Sequence, residues 1–183
     1  PAFPYPPIAP LPSIFPRFSL IWLMGISTIA VFFFVAWFLG RRRKLFSLRG
    51  KHVVVTGGSS GIGKAVALQC LEAGATVTLM ARKETTLEAA KAELTKSISA
   101  DNKVVIVPID VASGLPLVEA ALKSATQASG PVDVLVNCAG NSVPGVFEDL
   151  DPTVFESMMR VNYLGSVYPT RAVVPSMKAR GAG

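Results

Sequence analysis

An α/β fold built on a parallel sheet, with one transmembrane helix ahead of it, is what this sequence of 183 residues predicts, and three observations carry that reading. Short β-branched runs recur at Val53–Val55, Ala75–Met80, Val104–Ile109 and Val132–Val136, each with the length and apolar continuity of a strand buried on both faces. Helical stretches lie between them, at about Ile62–Ala73, Thr85–Ser97 and Leu117–Ala128, and this alternation is the signature of parallel crossover units. Finally, the mean hydropathy of +0.46 is high for a soluble domain, and the excess is concentrated where no charge occurs, from Phe18 to Gly40.

The chain begins with Pro1, Pro4, Pro6, Pro7, Pro10, Pro12 and Pro16, a density that excludes a helix and favours extended, solvated backbone. Residues 1–17 read as a Pro-rich, non-cytosolic tail; as a Pro-rich recognition ligand it would lack basic flanks. Residues 18–40 read as the transmembrane helix. Leu20–Leu39 supplies the roughly 20 apolar residues needed to cross about 30 Å of hydrocarbon at about 1.5 Å per residue. A cleaved signal peptide fits less well, because the run exceeds the usual signal core and no small-residue cleavage site follows it.

Arg41-Arg42-Arg43-Lys44 comes next, against Arg17 alone on the other flank. Positive flanks stay on the cytoplasmic side, so the expected topology puts the N-terminus outside and everything after Lys44 in the cytosol. Residues 41–50 form the basic juxtamembrane linker. Topology alone explains the basic run; contact with anionic headgroups is a second role that it allows. Without these four charges the net +6 falls to +2, which removes the main support for a nucleic-acid partner. Cys70 and Cys138 are the only cysteines and His52 the only histidine, so neither a disulfide framework nor a metal-ligand cluster is indicated. His52 opens a strand and is expected near the surface.

The strongest motif is Thr56-Gly57-Gly58-Ser59-Ser60-Gly61-Ile62-Gly63, directly after the first strand and directly before the first helix. Gly57 permits the tight turn, Gly61 lets backbone approach a pyrophosphate, and Gly63 allows close packing of helix on sheet. The free N–H groups at the helix start, including that of Ile62, suit phosphate oxygens. Its place at the first strand-to-helix crossing makes residues 51–183 the N-terminal part of a Rossmann-type doubly wound sheet that binds a dinucleotide. Gly74 is placed to cap the first helix, and Asp151-Pro152 reads as an N-cap followed by proline at the first helical position.

The spacing Gly-x3-Gly-x-Gly is similar to that of the short-chain dehydrogenase/reductase family. Asp110-Val111, Asn137-Cys138-Ala139-Gly140 and Val161-Asn162 continue the resemblance, with Cys138 standing where the family has a second asparagine. The resemblance implies that Asp110 and Val111 contact an adenine, that Asn137, Ala139 and Gly140 belong to the cofactor site, and that Asn162 supports a catalytic proton relay. The anchor together with TGGSSGIG, VNCAG, FEDL and VNYLGSVYPTRAV is most similar to family members of sphingolipid synthesis at the endoplasmic-reticulum membrane. This implies two partners, the lipid bilayer and a long-chain keto sphingoid base whose 3-keto group is reduced, and leaves a homo-oligomer open.

Cofactor choice follows from the end of the second strand, Leu79-Met80-Ala81-Arg82-Lys83. A carboxylate there accepts from a ribose 2′-OH, whereas arginine accommodates a 2′-phosphate. Arg82 has that position, Ser59 and Ser60 can add hydroxyls, and the expected cofactor is NADPH. Glu84 is a competing ribose contact, but it lies beyond the strand end.

Met158, Met159 and Phe155 fit the apolar face of a helix and are expected in a core. Cys138 is expected to be an inert buried thiol, Asp133 to stand at a strand entry, and Glu148 and Asp149 in a solvated loop. None of Tyr5, Tyr163 and Tyr168 is followed by lysine at the fourth position, as the family's catalytic pair would require. The expectation is therefore the front part of a longer enzyme, its catalytic Ser, Tyr and Lys lying beyond Gly183. Two alternatives stand beside it: an anchored reductase of a steroid, retinoid or fatty acyl ketone, and a catalytically silent, membrane-tethered nucleotide-binding protein.

Overall fold

The computed structural model describes residues 46–97 and 103–183. The chain divides into two units, Pro1–Phe46 and Ser47–Gly183. The Pro-rich segment, the expected transmembrane helix at residues 18–40 and the run Arg41–Lys44 lie outside the described residues, among which no helix is long and apolar enough to cross a membrane.

The second unit alternates as expected: β1 (His52–Thr56), α1 (Gly61–Glu72), β2 (Thr76–Ala81), α2 (Glu84–Lys96), β3 (Val104–Pro108), α3 (Leu115–Ser129) and β4 (Val134–Asn137). A 3-10 turn at Phe147–Asp149 precedes α4 (Pro152–Met158), a π-helical turn at Met159–Leu164 and α5 (Gly165–Arg180). The strands form one parallel sheet in the order β3-β2-β1-β4, a Rossmann-type arrangement.

Strand periodicity divides the core. Val53 and Val55 point to one face and pack with Ala67, Leu71, Leu87 and Leu94 of α1 and α2. Val54 points to the other and packs with Val118, Leu122 and Val173 of α3 and α5. Because β1 is central, Val53, Val54 and Val55 are all fully buried, which is why the run is continuously apolar rather than alternating.

The boundaries follow local chemistry. Past α1, Gly74 adopts φ +86° and donates to the Leu71 carbonyl, while Ala75 donates to that of Cys70; this is a Schellman closure. Asp151 caps α4 by accepting from the Thr153 N–H at 2.8 Å, with Pro152 entering the first turn.

Two expectations are corrected. His52 is 2 % exposed, not superficial. Its Nδ1 lies 2.8 Å from the Gly130 carbonyl and its Nε2 2.8 Å from Thr78 Oγ1, so the loop before β4 and the middle of β2 enclose it. Burial lowers its pKa, opposed by the Gly130 carbonyl and by Asp133. Asp133 stands at the β4 entry, where it accepts from the His52 N–H at 3.0 Å and pairs with Lys51 and Arg180. Burial raises its pKa, but that bond and those two cations outweigh it and the net shift is downward.

The helical stretch after β4 is the second correction. Met159 is 58 % exposed and neither Met158 nor Phe155 is fully buried, because no other described element covers this side of α4. Phe155 instead meets Phe147 of the 3-10 turn, ring centroids 5.2 Å apart.

Candidate nucleotide-binding cleft

All four strands run the same way, and their carboxyl ends open into a cleft of about 640 Å³. It lies where the order reverses, β2 on one side of β1 and β4 on the other, which is where open α/β sheets hold ligands.

The Gly-rich loop forms the floor. The Gly57 N–H donates to the Met80 carbonyl at 2.7 Å, tying the loop to β2, and Gly57 adopts φ +67°. A Cβ at Gly57 would lie 2.8 Å from the Ala139 backbone, so the turn and the loop after β4 touch main chain to main chain. A Cβ at Gly63 would strike the Gly57 carbonyl: this glycine seats α1 against its own loop rather than against the sheet. Gly61 differs from both. It has φ +51°, and nothing lies within 4 Å of the position its Cβ would take. That space belongs to the cleft.

The start of α1 faces it uncompensated. Ser60 occupies the N-cap without a side-chain cap bond, and the first turn holds no acidic residue. The N–H groups of Gly61, Ile62 and Gly63 therefore present the positive helix end to the cleft, where an anion would satisfy them. Ser59 and Ser60 line the same wall.

Thr56 joins two walls. Its fully buried hydroxyl accepts from the Cys138 N–H at 3.1 Å and the Ala139 N–H at 3.2 Å, fixing the loop after β4 against the end of β1. Asn162 holds the next stretch of that loop. Its Oδ1 accepts from the Asn141 N–H and its Nδ2 donates to the Asn141 carbonyl, both at 2.8 Å. Asn162 stands in the π-helical turn, a distortion frequent at functional sites. Asp110 closes the β3 side: its Oδ1 accepts from the Ala112 N–H at 2.9 Å and shapes the turn that carries Val111.

Arg82 and Lys83 follow β2 along the wall, exposed, and the Arg82 guanidinium makes no ion pair among the described residues. Thr86 stands beside them, donating to the Lys83 carbonyl at 2.8 Å. Glu84 is not part of the wall.

The structure thus gathers Gly57, Ser59, Ser60, Gly61, Ile62, Gly63, Arg82, Asp110, Val111, Ala139 and Gly140 around one cleft. Asn137 stands apart, its Nδ2 donating to Thr170 Oγ1 of α5 at 3.1 Å. Cys138 is half-buried and lines the cleft, where the sequence pointed to a buried strand end. Sequence reasoning placed Thr56 in the loop motif without giving its hydroxyl a role, and passed over Thr86 and Asn141. Thr56 had a signal, a hydroxyl ending an otherwise apolar strand; Asn141 acts through its backbone and had none.

The open space at Gly61, the uncapped helix start and an unpaired guanidinium at the β2 end together fit a phosphorylated dinucleotide. A family model described as short chain dehydrogenase matches residues 51–183. The chain belongs to the short-chain dehydrogenase family. Within that family, 3-dehydrosphinganine reductase of Danio rerio and 3-ketodihydrosphingosine reductase of Bos taurus are each 52% identical to it over 141 residues, covering 76% of this chain. The chain spans 42% of the length of those two relatives. Among solved members, the L-sorbose reductase of Gluconobacter frateurii, complexed with NADPH and L-sorbose, is 32% identical with a TM-score of 0.66, over 73% of this chain and 49% of that one.

Proposed function

We propose that this chain is the cofactor-binding part of an NADPH-dependent reductase, anchored in the endoplasmic-reticulum membrane, that reduces the 3-keto group of 3-ketodihydrosphingosine to the hydroxyl of dihydrosphingosine. The observation that carries the cofactor assignment is the unpaired Arg82 guanidinium in the same cleft as the uncapped start of α1. Bound NADPH would supply the hydride. The N–H groups of Gly61 to Gly63 would hold its pyrophosphate, Arg82 with Ser59 and Ser60 its 2′-phosphate, and the turn at Asp110 and Val111 its adenine. Asn162, through Asn141, keeps the loop carrying Ala139 and Gly140 in place beside it.

The names of the two vertebrate relatives support the lipid substrate, and the solved NADPH complex supports the nucleotide. The apolar run Leu20–Leu39 supports an anchor, which suits a substrate that partitions into the bilayer. The catalytic Ser, Tyr and Lys are placed beyond Gly183 in this reading.

The test uses the full-length protein with 3-ketodihydrosphingosine and either NADPH or NADH. Reduction with NADPH is expected, and Arg82→Ala should weaken NADPH binding by about ten- to a hundredfold, the range for losing a charge-assisted bond, with NADH nearly unchanged. Equal losses for both cofactors would make Arg82 structural. Turnover of steroid, retinoid or fatty acyl ketones without the sphingoid ketone would overturn the substrate assignment.

A further inference from the structure

The amino edge of the sheet, opposite the cleft, carries a feature that cofactor binding does not use. Parallel strands place all their N-termini there, together with the C-termini of the helices between them. Hydrogen bonds trace the edge: the Gly50 N–H donates to the Gly74 carbonyl, the Val77 N–H to that of Lys103, Lys103 Nζ to that of Ala128, and Arg180 Nη2 to that of Val132. Along it stand Arg49, Lys51, Lys96, Lys103, Lys178 and Arg180, all exposed except Lys51, which is half-buried. Of the described acidic residues only Glu72 and Asp133 join them, and Asp133 is already shared between Lys51 and Arg180. At the other end of the sheet both signs occur: Arg82 and Lys83 follow β2 with Glu84 next in sequence, and Glu148, Asp149 and Asp151 follow β4.

We infer that this amino edge is a docking surface for anionic phospholipid headgroups. The inference rests on the anchored reading proposed above and adds to it the face that the domain turns to the bilayer. Charge complementarity selects the partner, and the sequence gives it continuity: Lys44, ending the basic run after the apolar segment, is only seven positions before Lys51. Basic residues near an anionic surface each add a modest attraction, and several together hold a tethered domain in one orientation. Docked this way, the domain keeps its cleft turned away from the headgroups, which spares an anionic cofactor their repulsion.

Lysine reactivity tests this. Full-length protein is reconstituted into nanodiscs of phosphatidylcholine alone or of phosphatidylcholine with phosphatidylserine. It is then acetylated with an N-hydroxysuccinimide ester and mapped by mass spectrometry. Lys96, Lys103 and Lys178 should react roughly fivefold more slowly in the anionic discs, the scale set by headgroup attraction per basic residue. Lys83 at the cleft should be unchanged, and about 0.5 M NaCl should abolish the difference by screening. The double variant Lys96→Glu, Lys178→Glu should lose the protection of Lys103 while keeping wild-type affinity for NADPH. Equal labelling of the three lysines in both discs, with the protein inserted, would overturn the docking surface and leave the anchor intact. Failure to insert into neutral discs would overturn the anchor, and the docking surface with it.

Discussion

Replacing Thr56 by valine keeps the shape of a side chain with no exposed surface and removes only its hydroxyl. Two backbone N–H groups, of Cys138 and Ala139, then lose their acceptor at 3.1 and 3.2 Å. Each lost bond costs about 1 kcal/mol net, and a donor left buried without a partner costs about 1–3 kcal/mol. Cys138 and Ala139 are half-buried beside the cleft, so water can reach part of what the hydroxyl leaves. The lower end applies, about 2 kcal/mol for the pair. With a urea slope of about 2 kcal/mol/M, the unfolding midpoint should fall by about 1 M. Thr56→Ser keeps the acceptor and loses one buried methyl, at roughly 0.8 kcal/mol, so it should fall less than half as far. NADPH titration separates the two further, because only the valine variant frees the loop that carries Ala139. A valine variant with a wild-type midpoint and wild-type affinity would refute the argument that this hydroxyl holds the wall of the cleft.

Gly61→Val meets no neighbour, but φ +51° strains a β-branched residue, so it should cost about 1–2 kcal/mol of stability while abolishing nucleotide binding by filling the cleft; Gly57→Ala, at φ +67° and with its Cβ pressed on the Ala139 backbone, should lower thermal stability further. Scanning calorimetry beside NADPH titration reads both, and retained binding in Gly61→Val would remove the loop from the phosphate site. The lowered pKa of His52 means that the folded state favours the neutral ring, so its contribution is present above the unfolded value of about 6.5 and lost as pH falls from there toward the lower folded value. Stability followed from pH 7.5 to pH 5 should decline, less steeply in His52→Gln; identical slopes would assign the decline to other groups. Protease added to intact microsomes should digest the domain after Lys44, and protection of that domain would reverse the proposed topology.

Much of the fold was legible because the information is local or periodic. Continuous β-branched runs mark strands buried on both faces, and Gly74 and Asp151-Pro152 mark helix ends through chemistry confined to a few neighbouring residues. The Gly-rich loop was legible as a site because its position between strand and helix fixes what its backbone can do. His52 was misplaced because its burial depends on Thr78 and Gly130, 26 and 78 positions away, and a lone imidazole at a strand entry carries no sign of either. Met159 was misplaced because helical periodicity reports an apolar face, not whether another element covers it. For Asn137 a motif gave the position, while the direction of the side chain was set by Thr170, a hydroxyl on a later helix.

The strand order also governs how the domain is made. β1, β2 and β3 follow one another outward, so a growing chain can pair them as it emerges. The other flank of β1 must wait for β4, and the bond between His52 and Asp133 spans 81 positions. Until then the most deeply buried strand of the sheet exposes a row of unpaired N–H and C=O groups to any neighbouring chain. Thr56 likewise waits for the two N–H groups its hydroxyl is to receive, so the cleft is the last part of this stretch to close. A ribosome paused between β3 and β4 would hold out three paired strands with the flank of β1 still open and no place for a cofactor, which makes that interval one in which a chaperone has something to protect.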